Sequence, residues 1–336
     1  MRIALIVTEF PSLSQTFVLN QITGLIDRGH DVEIFAENAS ANAKIHQDVM
    51  DYNLLKRTCY HREMSRNMPK NKLNRILKSL GYIIKYLPME PLTVLTSLNI
   101  FKYGKRSASF YHLFQIIPFL NRDPYNIIHC HFGPVGNYAV MLKDFGAITG
   151  KIVTTFHGFD LSTYIKSKGN HIYEELFAKG DLFLPISERW KEKLIKLGCP
   201  KEKIIVHRMG IDIRRFSITE KEVSNNRGIT LLTVARLVEK KGVKYGIQAF
   251  AKLQKIYPWI QYVIVGDGPL RNELLNLVSI LNLSNRVKLL GWKNQEEIAK
   301  LMSHADILLA PSVTSKDGDQ EGIPVVLTLG AKRISA

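Results

Sequence analysis

Cysteine is scarce. The 336 residues hold three, Cys59, Cys130 and Cys199, set far apart, with no Cys-x-x-Cys pair and an odd total. That pattern excludes a disulfide framework and a zinc knuckle and fits a reducing compartment. Long apolar runs are missing as well. The first, Ile3 to Val7, gives way to Thr8-Glu9-Phe10-Pro11, which is too short for a signal-peptide core or a membrane span, and Gly81 to Leu87 and Leu182 to Ile186 are broken by Lys or Pro. No transmembrane helix is expected, and the chain reads as cytoplasmic. Repeats of solenoid period and low-complexity tracts are absent too. Acidic residues are the last shortage: 30 Asp and Glu face 46 Lys and Arg, for a formal charge of +16. Such an excess calls for an anionic partner, whether nucleic acid, an acidic membrane face or a phosphorylated substrate.

The charge is uneven. Between positions 56 and 106 twelve Lys and Arg, from Lys56 and Arg57 to Lys105 and Arg106, are opposed only by Glu63 and Glu90, with apolar residues threaded among them. No nucleic-acid recognition motif accompanies the segment, so nucleic acid is not an expected partner. Polybasic surfaces gain about 1 kcal/mol per cation near an anionic membrane. The segment is therefore assigned to the anionic inner leaflet or to a lipid-diphosphate acceptor held there, with a solvated helix face as the alternative.

The length and the 46% hydrophobic content suit two domains. Ile3-Ala-Leu-Ile-Val7 reads as a strand, Gln15 to Arg28 as an amphipathic helix and Asp31-Val-Glu-Ile-Phe35 as a second strand, together a βαβ unit. A basic helical insertion is predicted over about 54–119, broken at Pro69, Pro88 and Pro91. Strands return at 126–129, 151–155, 181–184 and 203–206. The polar stretch 219–228 suits a linker, giving domains at 1–218 and 229–336. The second domain repeats the rhythm, with strands at 229–234, 261–265, 287–290 and 306–310. Its helices are predicted at 244–257, 270–281 and 295–304, the last opened by an Asn294/Glu297 capping box. Both domains read as α/β with parallel, doubly wound sheets.

In such sheets ligands gather beyond the carboxyl ends of the strands, where helix N-termini offer free N–H groups to anions. Arg236 and Lys241 follow the first strand of the second domain, as a departing diphosphate requires of its cations; a solvated basic loop is the bland alternative. Gly266 and Gly268 end the next strand, where a backbone can turn sharply or approach a ligand closely. The third glycine of a dinucleotide fingerprint is absent, and a tight turn is the alternative. In the first domain His129, His131 and His157 stand at strand ends, where histidines bind phosphate or exchange protons near neutral pH. Their spacing does not support a metal site, and none is expected. Glu321 precedes a predicted helix, where its carboxylate could accept hydrogen bonds from sugar hydroxyls or simply complement the helix dipole.

Eight segments taken in order resemble family 4 retaining glycosyltransferases, particularly the bacterial exopolysaccharide and colanic-acid type. They are Phe10 to Phe17, His129 to Gly133, His157 to Asp160, Pro185 to Glu188, Met209 to Asp212, Ala235 to Gly242, Gly266 to Pro269 and Glu321 to Pro324. The resemblance runs from Met1 to about Thr328. It implies the GT-B fold, two Rossmann-like domains facing a cleft. It also implies transfer of a hexose from a nucleotide diphosphate sugar to a lipid-linked polysaccharide acceptor, with retention of configuration and no further cofactor. By that likeness Arg236 and Lys241 hold the diphosphate, while Gly266, Gly268, Gly322, Ile323 and Pro324 line the nucleotide-sugar site. His157, Asp160 and Glu321 form the catalytic group, and Ser14, Gln15, Thr16 and His131 shape the acceptor side. Two departures stand out. The family's second Glu, eight positions after the first, is Leu329 here, and Gly330 to Ala336 is unlike the family. A C-terminal truncation is therefore expected, leaving the second domain incomplete and activity in doubt, with a non-catalytic nucleotide- or glycan-binding module as the alternative.

Overall fold

In the computed structural model the chain forms two compact units, Met1–Arg208 and Met209–Ala336. The structure describes residues 1–12, 15–40, 45–208, 210, 228–321 and 327. Of the expected linker 219–228 only Gly228 is among them, and Leu329 with the tail after it lies outside.

Among the described residues the first unit is built on six parallel strands: β1 (Arg2–Phe10), β2 (Asp31–Ala39), β3 (Thr58–Tyr60), β4 (Ile127–His131), β5 (Lys151–Phe156) and β6 (Leu182–Pro185). Their order is β3-β2-β1-β4-β5-β6. The continuous apolar run of β1 marks a central strand buried on both faces, and Ala4, Leu5 and Ile6 are fully buried. The helix Thr16–Asp27 turns Val18, Leu19 and Ile22 onto the sheet beside Leu5, Val7 and Phe10. Because β1 lies between β2 and β4, the chain reverses direction across the sheet at the β1/β4 boundary, the topological switch point where open α/β sheets bind ligands.

The segment expected to be a helical insertion is not wholly one. It opens with β3, paired in parallel with β2 through Ile34–Thr58 and Ala36–Tyr60. It closes with Leu113, Phe114, Ile116, Ile117 and Phe119 buried in the unit's core. Its middle includes the helix Lys72–Tyr86, which buries only Ser79, and the helix Pro91–Ser97, which buries Thr93, Val94 and Ser97. The strand expected at 203–206 reduces to a single bridge between Phe183 and Ile204.

Among the described residues the second unit has four parallel strands, β7 (Thr230–Val234), β8 (Gln261–Val265), β9 (Val287–Leu289) and β10 (Ile307–Leu308), in the order β10-β7-β8-β9. The helices Val243–Ile256 and Arg271–Ile280 bury Ile247, Phe250, Leu274 and Val278 against Tyr262 and Ile264. The third helix, Gln295–His304, carries the expected capping box, with Asn294 Oδ1 accepting from the Glu297 amide at 2.9 Å and Glu297 Oε2 from the Asn294 amide at 2.9 Å. Here β7 lies between β8 and β10, which puts the switch point at the β7/β10 boundary. Among the described residues no helix is long and apolar enough to cross a membrane.

Candidate functional site

At the carboxyl edge of the first sheet, β4 ends in His129 and His131, and His157 follows β5. The His129 and His131 rings stack with centroids 4.9 Å apart, and His131 and His157 stack at 5.3 Å. A hydrogen bond of 3.0 Å joins His131 Nδ1 to His157 Nε2. The column is anchored at its base, where His129 Nδ1 meets Gln21 Nε2 at 3.0 Å and His129 Nε2 meets Thr155 Oγ1 at 2.8 Å. Phe17, the second residue of the first helix, covers His157 with ring centroids 4.5 Å apart. Burial pulls the His129 pKa down to about 4 and that of His157 to about 3, each pressed further by a neighbouring histidine, and holds His131 well below the ordinary range. All three are neutral at pH 7. They are therefore not groups that exchange protons near neutrality, as their place at strand ends had suggested. They act as hydrogen-bonding imidazoles, and His131 Nε2 and His157 Nδ1 are buried without a hydrogen-bond partner among the described residues.

Asp160, expected in the catalytic group, is fully buried. Its carboxylate accepts from the Gly133 amide at 3.0 Å, the Gly158 amide at 2.8 Å and the His157 amide at 3.1 Å, while Tyr173 donates its hydroxyl to the Asp160 carbonyl at 2.8 Å. Burial lifts its pKa to about 6 against the pull of those amides. With its oxygens turned to backbone, Asp160 ties the turn after β5 to the helix after β4. It positions His157 and has no free edge for a substrate. Gln15 and Thr16 stand at the start of the helix Thr16–Asp27, next to the β1/β4 switch point, and Gln15 Oε1 is buried without a partner among the described residues. Ser14 lies outside the described residues.

In the second unit the chain leaving β7 passes Arg236 and reaches Lys241, and the loop after β10 runs to Glu321. These two strands flank the switch point, and Lys241 Nζ lies 2.7 Å from Glu321 Oε2, each with under a fifth of its side chain exposed. One residue back, Lys240 pairs with Asp319 at 2.8 Å, and the Val313 amide donates to the Lys240 carbonyl at 2.9 Å. Two adjacent ion pairs thus clamp the polar loop to the turn Glu239–Lys241. Arg236 is exposed and makes no ion pair among the described residues. Gly322, Ile323 and Pro324 lie outside the described residues.

Gly266 and Gly268 are required where they stand by the backbone packed against them. A Cβ on Gly266 would stand 1.9 Å from the Ala235 carbonyl oxygen, and one on Gly268 would stand 2.6 Å from that of Leu237. Both glycines therefore give their side-chain space to the backbone on either side of Arg236. They fix the arginine's loop.

Sequence reasoning missed Gln21, Thr155, Phe17, Tyr173 and the Lys240–Asp319 pair. Phe17 closes the Phe10 to Phe17 segment and was within reach; the others carry no local signal, because each acts on a residue distant in sequence.

Models of Glycosyltransferase Family 4 and of Glycosyl transferases group 1 match residues 14–215 and 215–328. The chain is 39% identical to the amylovoran biosynthesis glycosyltransferase AmsK of Erwinia amylovora, over 97% of this chain and 79% of that protein. It is 36% identical, with the same coverage, to the putative colanic acid biosynthesis glycosyltransferase WcaL of Escherichia coli K12. A UDP-Gal:alpha-D-GlcNAc-diphosphoundecaprenol alpha-1,3-galactosyltransferase of Escherichia coli is 28% identical over 76% of this chain and 67% of its own length. Among solved structures, Anabaena HepE in complex with UDP shares the fold, with a TM-score of 0.63 at 17% identity over 99% of this chain and 79% of that one.

Proposed function

The chain belongs to glycosyltransferase family 4, and from that premise we propose that it transfers a hexose, with retention, from a nucleotide diphosphate sugar to a lipid-linked acceptor in exopolysaccharide assembly. The observation that carries this reading is the convergence of Arg236, Lys241 and Glu321 at the β7/β10 switch point, with Lys241 and Glu321 in contact. Without a donor, lysine and glutamate neutralise each other. A diphosphate arriving beside the exposed Arg236 takes the lysine, and the released carboxylate accepts hydrogen bonds from sugar hydroxyls. Gly266 and Gly268 hold Arg236 in place, and Gly322, Ile323 and Pro324 are assigned to the same nucleotide-sugar site.

In the transfer itself, the bond from the anomeric carbon to the phosphate oxygen breaks and a bond from the acceptor oxygen to the same face of that carbon forms. The acceptor hydroxyl passes its proton to the departing phosphate oxygen. Charge grows on the diphosphate as this happens, and Arg236 and Lys241 stabilise it most at that point. His157, neutral and oriented by Asp160, offers imidazole nitrogen to sugar hydroxyls, and His131 with Ser14, Gln15 and Thr16 serves the acceptor side. A lipid-linked acceptor is supported by the name of the galactosyltransferase relative and by the basic segment 56–106, which also suits peripheral residence on the anionic inner leaflet.

The test is the stereochemistry of the product. Purified protein given an α-linked nucleotide sugar and a diphospholipid acceptor should yield an α-linked product by proton NMR, and Glu321→Gln should lose it. A β-linked product would overturn the retaining reading.

A further inference from the structure

The helix Lys72–Tyr86 is amphipathic in the inverted sense. Toward the unit it turns Ser79, fully buried, and Tyr82, whose ring meets Phe114 edge-on at 5.5 Å and whose hydroxyl reaches the Met64 sulfur. Away from the unit it turns Leu73, Ile76, Leu77, Leu80 and Ile84, which are 44 to 74% exposed. At the helical repeat these five fall within a stripe roughly 100° wide, the width that ordinarily faces a core. The next two helices add Leu92 at 80% exposure and Phe101 at 99%. A helix whose leucines face water and whose serine faces the core is built to be covered.

Charge identifies the cover. Lys72 stands at one side of the stripe and Lys85 beyond the other, both exposed, within the segment where twelve cations meet two carboxylates, while Lys78 turns its amine toward Phe114 and the Asn67 carbonyl. A protein partner would satisfy the leucines and leave the cations unexplained, whereas an anionic bilayer takes both: apolar side chains enter the acyl boundary while lysines extend to the phosphates. We propose that the helix Lys72–Tyr86 docks the first unit flat on an anionic membrane surface, with the Leu73 to Ile84 stripe inserted. This deepens the reading of a lipid-borne acceptor and rests on it.

The probe is the purified 336-residue chain sedimented with vesicles of phosphatidylcholine alone or mixed with phosphatidylglycerol, at low and high salt. The wild type should bind the anionic vesicles and release in high salt, and Leu77→Gln/Leu80→Gln should lower the bound fraction about tenfold or more. Both positions are exposed and glutamine is a good helix former, so the fold should be kept and circular dichroism should not change. Transfer to a short-chain, water-soluble acceptor analogue should be equal in the two proteins, which separates loss of docking from failure of the sugar-transfer reading. Equal binding to neutral vesicles, or undiminished binding by the double variant, would overturn the proposal. So would a dimer in analytical ultracentrifugation that the double variant dissolves, since a second copy would then be the cover.

Discussion

Replacing Gly266 with alanine asks the second unit to hold a side chain where its own backbone already stands. The residue has φ +134°, and the added Cβ would lie 1.9 Å from the Ala235 oxygen, so the chain leaving β7 must shift by about an ångström or more. A non-glycine residue in that backbone region costs of order 1–3 kcal/mol. Overpacking costs typically another 1–3, so about 2–6 kcal/mol is expected in all. Gly291 supplies the control: its φ is +72°, but nothing lies within 4 Å of a Cβ built there. Gly291→Ala should cost only the left-handed backbone, roughly 1–2 kcal/mol. Urea unfolding of the two purified variants should therefore separate them by about 1–4 kcal/mol. Gly266→Ala should also weaken donor binding, because the displaced carbonyl adjoins Arg236. If both variants unfold within about 0.5 kcal/mol of each other, the packing argument is wrong.

Lys241→Met should lower donor kcat/KM by about 10²–10³, as loss of a cation facing developing charge does. Lys240→Met, which only loosens the loop at Asp319, should lower it about tenfold, and equal effects in steady-state kinetics would contradict the two roles. Acid should destabilise the first unit. His129 and His157 titrate at about 4 and about 3 in the fold but at 6.5 when unfolded, so the stability they lend is fully present above pH 6.5 and is lost as pH falls. By about pH 5 each forfeits roughly 2 kcal/mol. Asp160, raised from 3.8 to about 6, works in the opposite sense and returns about 1 kcal/mol at that pH. A urea midpoint for the first unit that does not change between neutral and mildly acid pH would contradict this balance. Asp160→Ala should speed hydrogen exchange at the Gly133 and Gly158 amides, whose acceptor it removes, and exchange as slow as in the wild type would show that the carboxylate does not hold that turn.

Much of the fold is legible in the sequence because its elements announce themselves locally. The strand Gln261–Val265 is an isolated apolar run between turn signals, and the helix Gln295–His304 is bounded by its own capping box; both are found at the expected positions. Thr58–Tyr60 escaped because a three-residue edge strand amid basic residues has no periodicity to read, and pairing with β2 alone makes it a strand. Lys203 to Val206 has the apolar pattern without the neighbours, and a lone bridge results. For the site, residue types at strand ends pointed to Arg236, Lys241, His131 and His157, and an acid just before a predicted helix pointed to Glu321. What they touch did not follow from the sequence. Lys241 and Glu321 meet only because β7 and β10 are adjacent, and Asp160 is enclosed only because the helix after β4 brings the Gly133 amide to it. Gly266 and Gly268 were recognisable as special, but the atoms that need their space belong to residues about thirty positions earlier.

The central claim is that the edge of the second sheet holds a nucleotide diphosphate sugar through Arg236 and Lys241. Calorimetric titration of the folded chain with UDP, GDP and ADP sugars, beside Arg236→Ala, tests it most directly. One class of donor should bind and name the base, with the affinity reduced about tenfold or more in the variant. Binding that is unchanged in Arg236→Ala, or no binding of any of the three by the folded wild type, would contradict it.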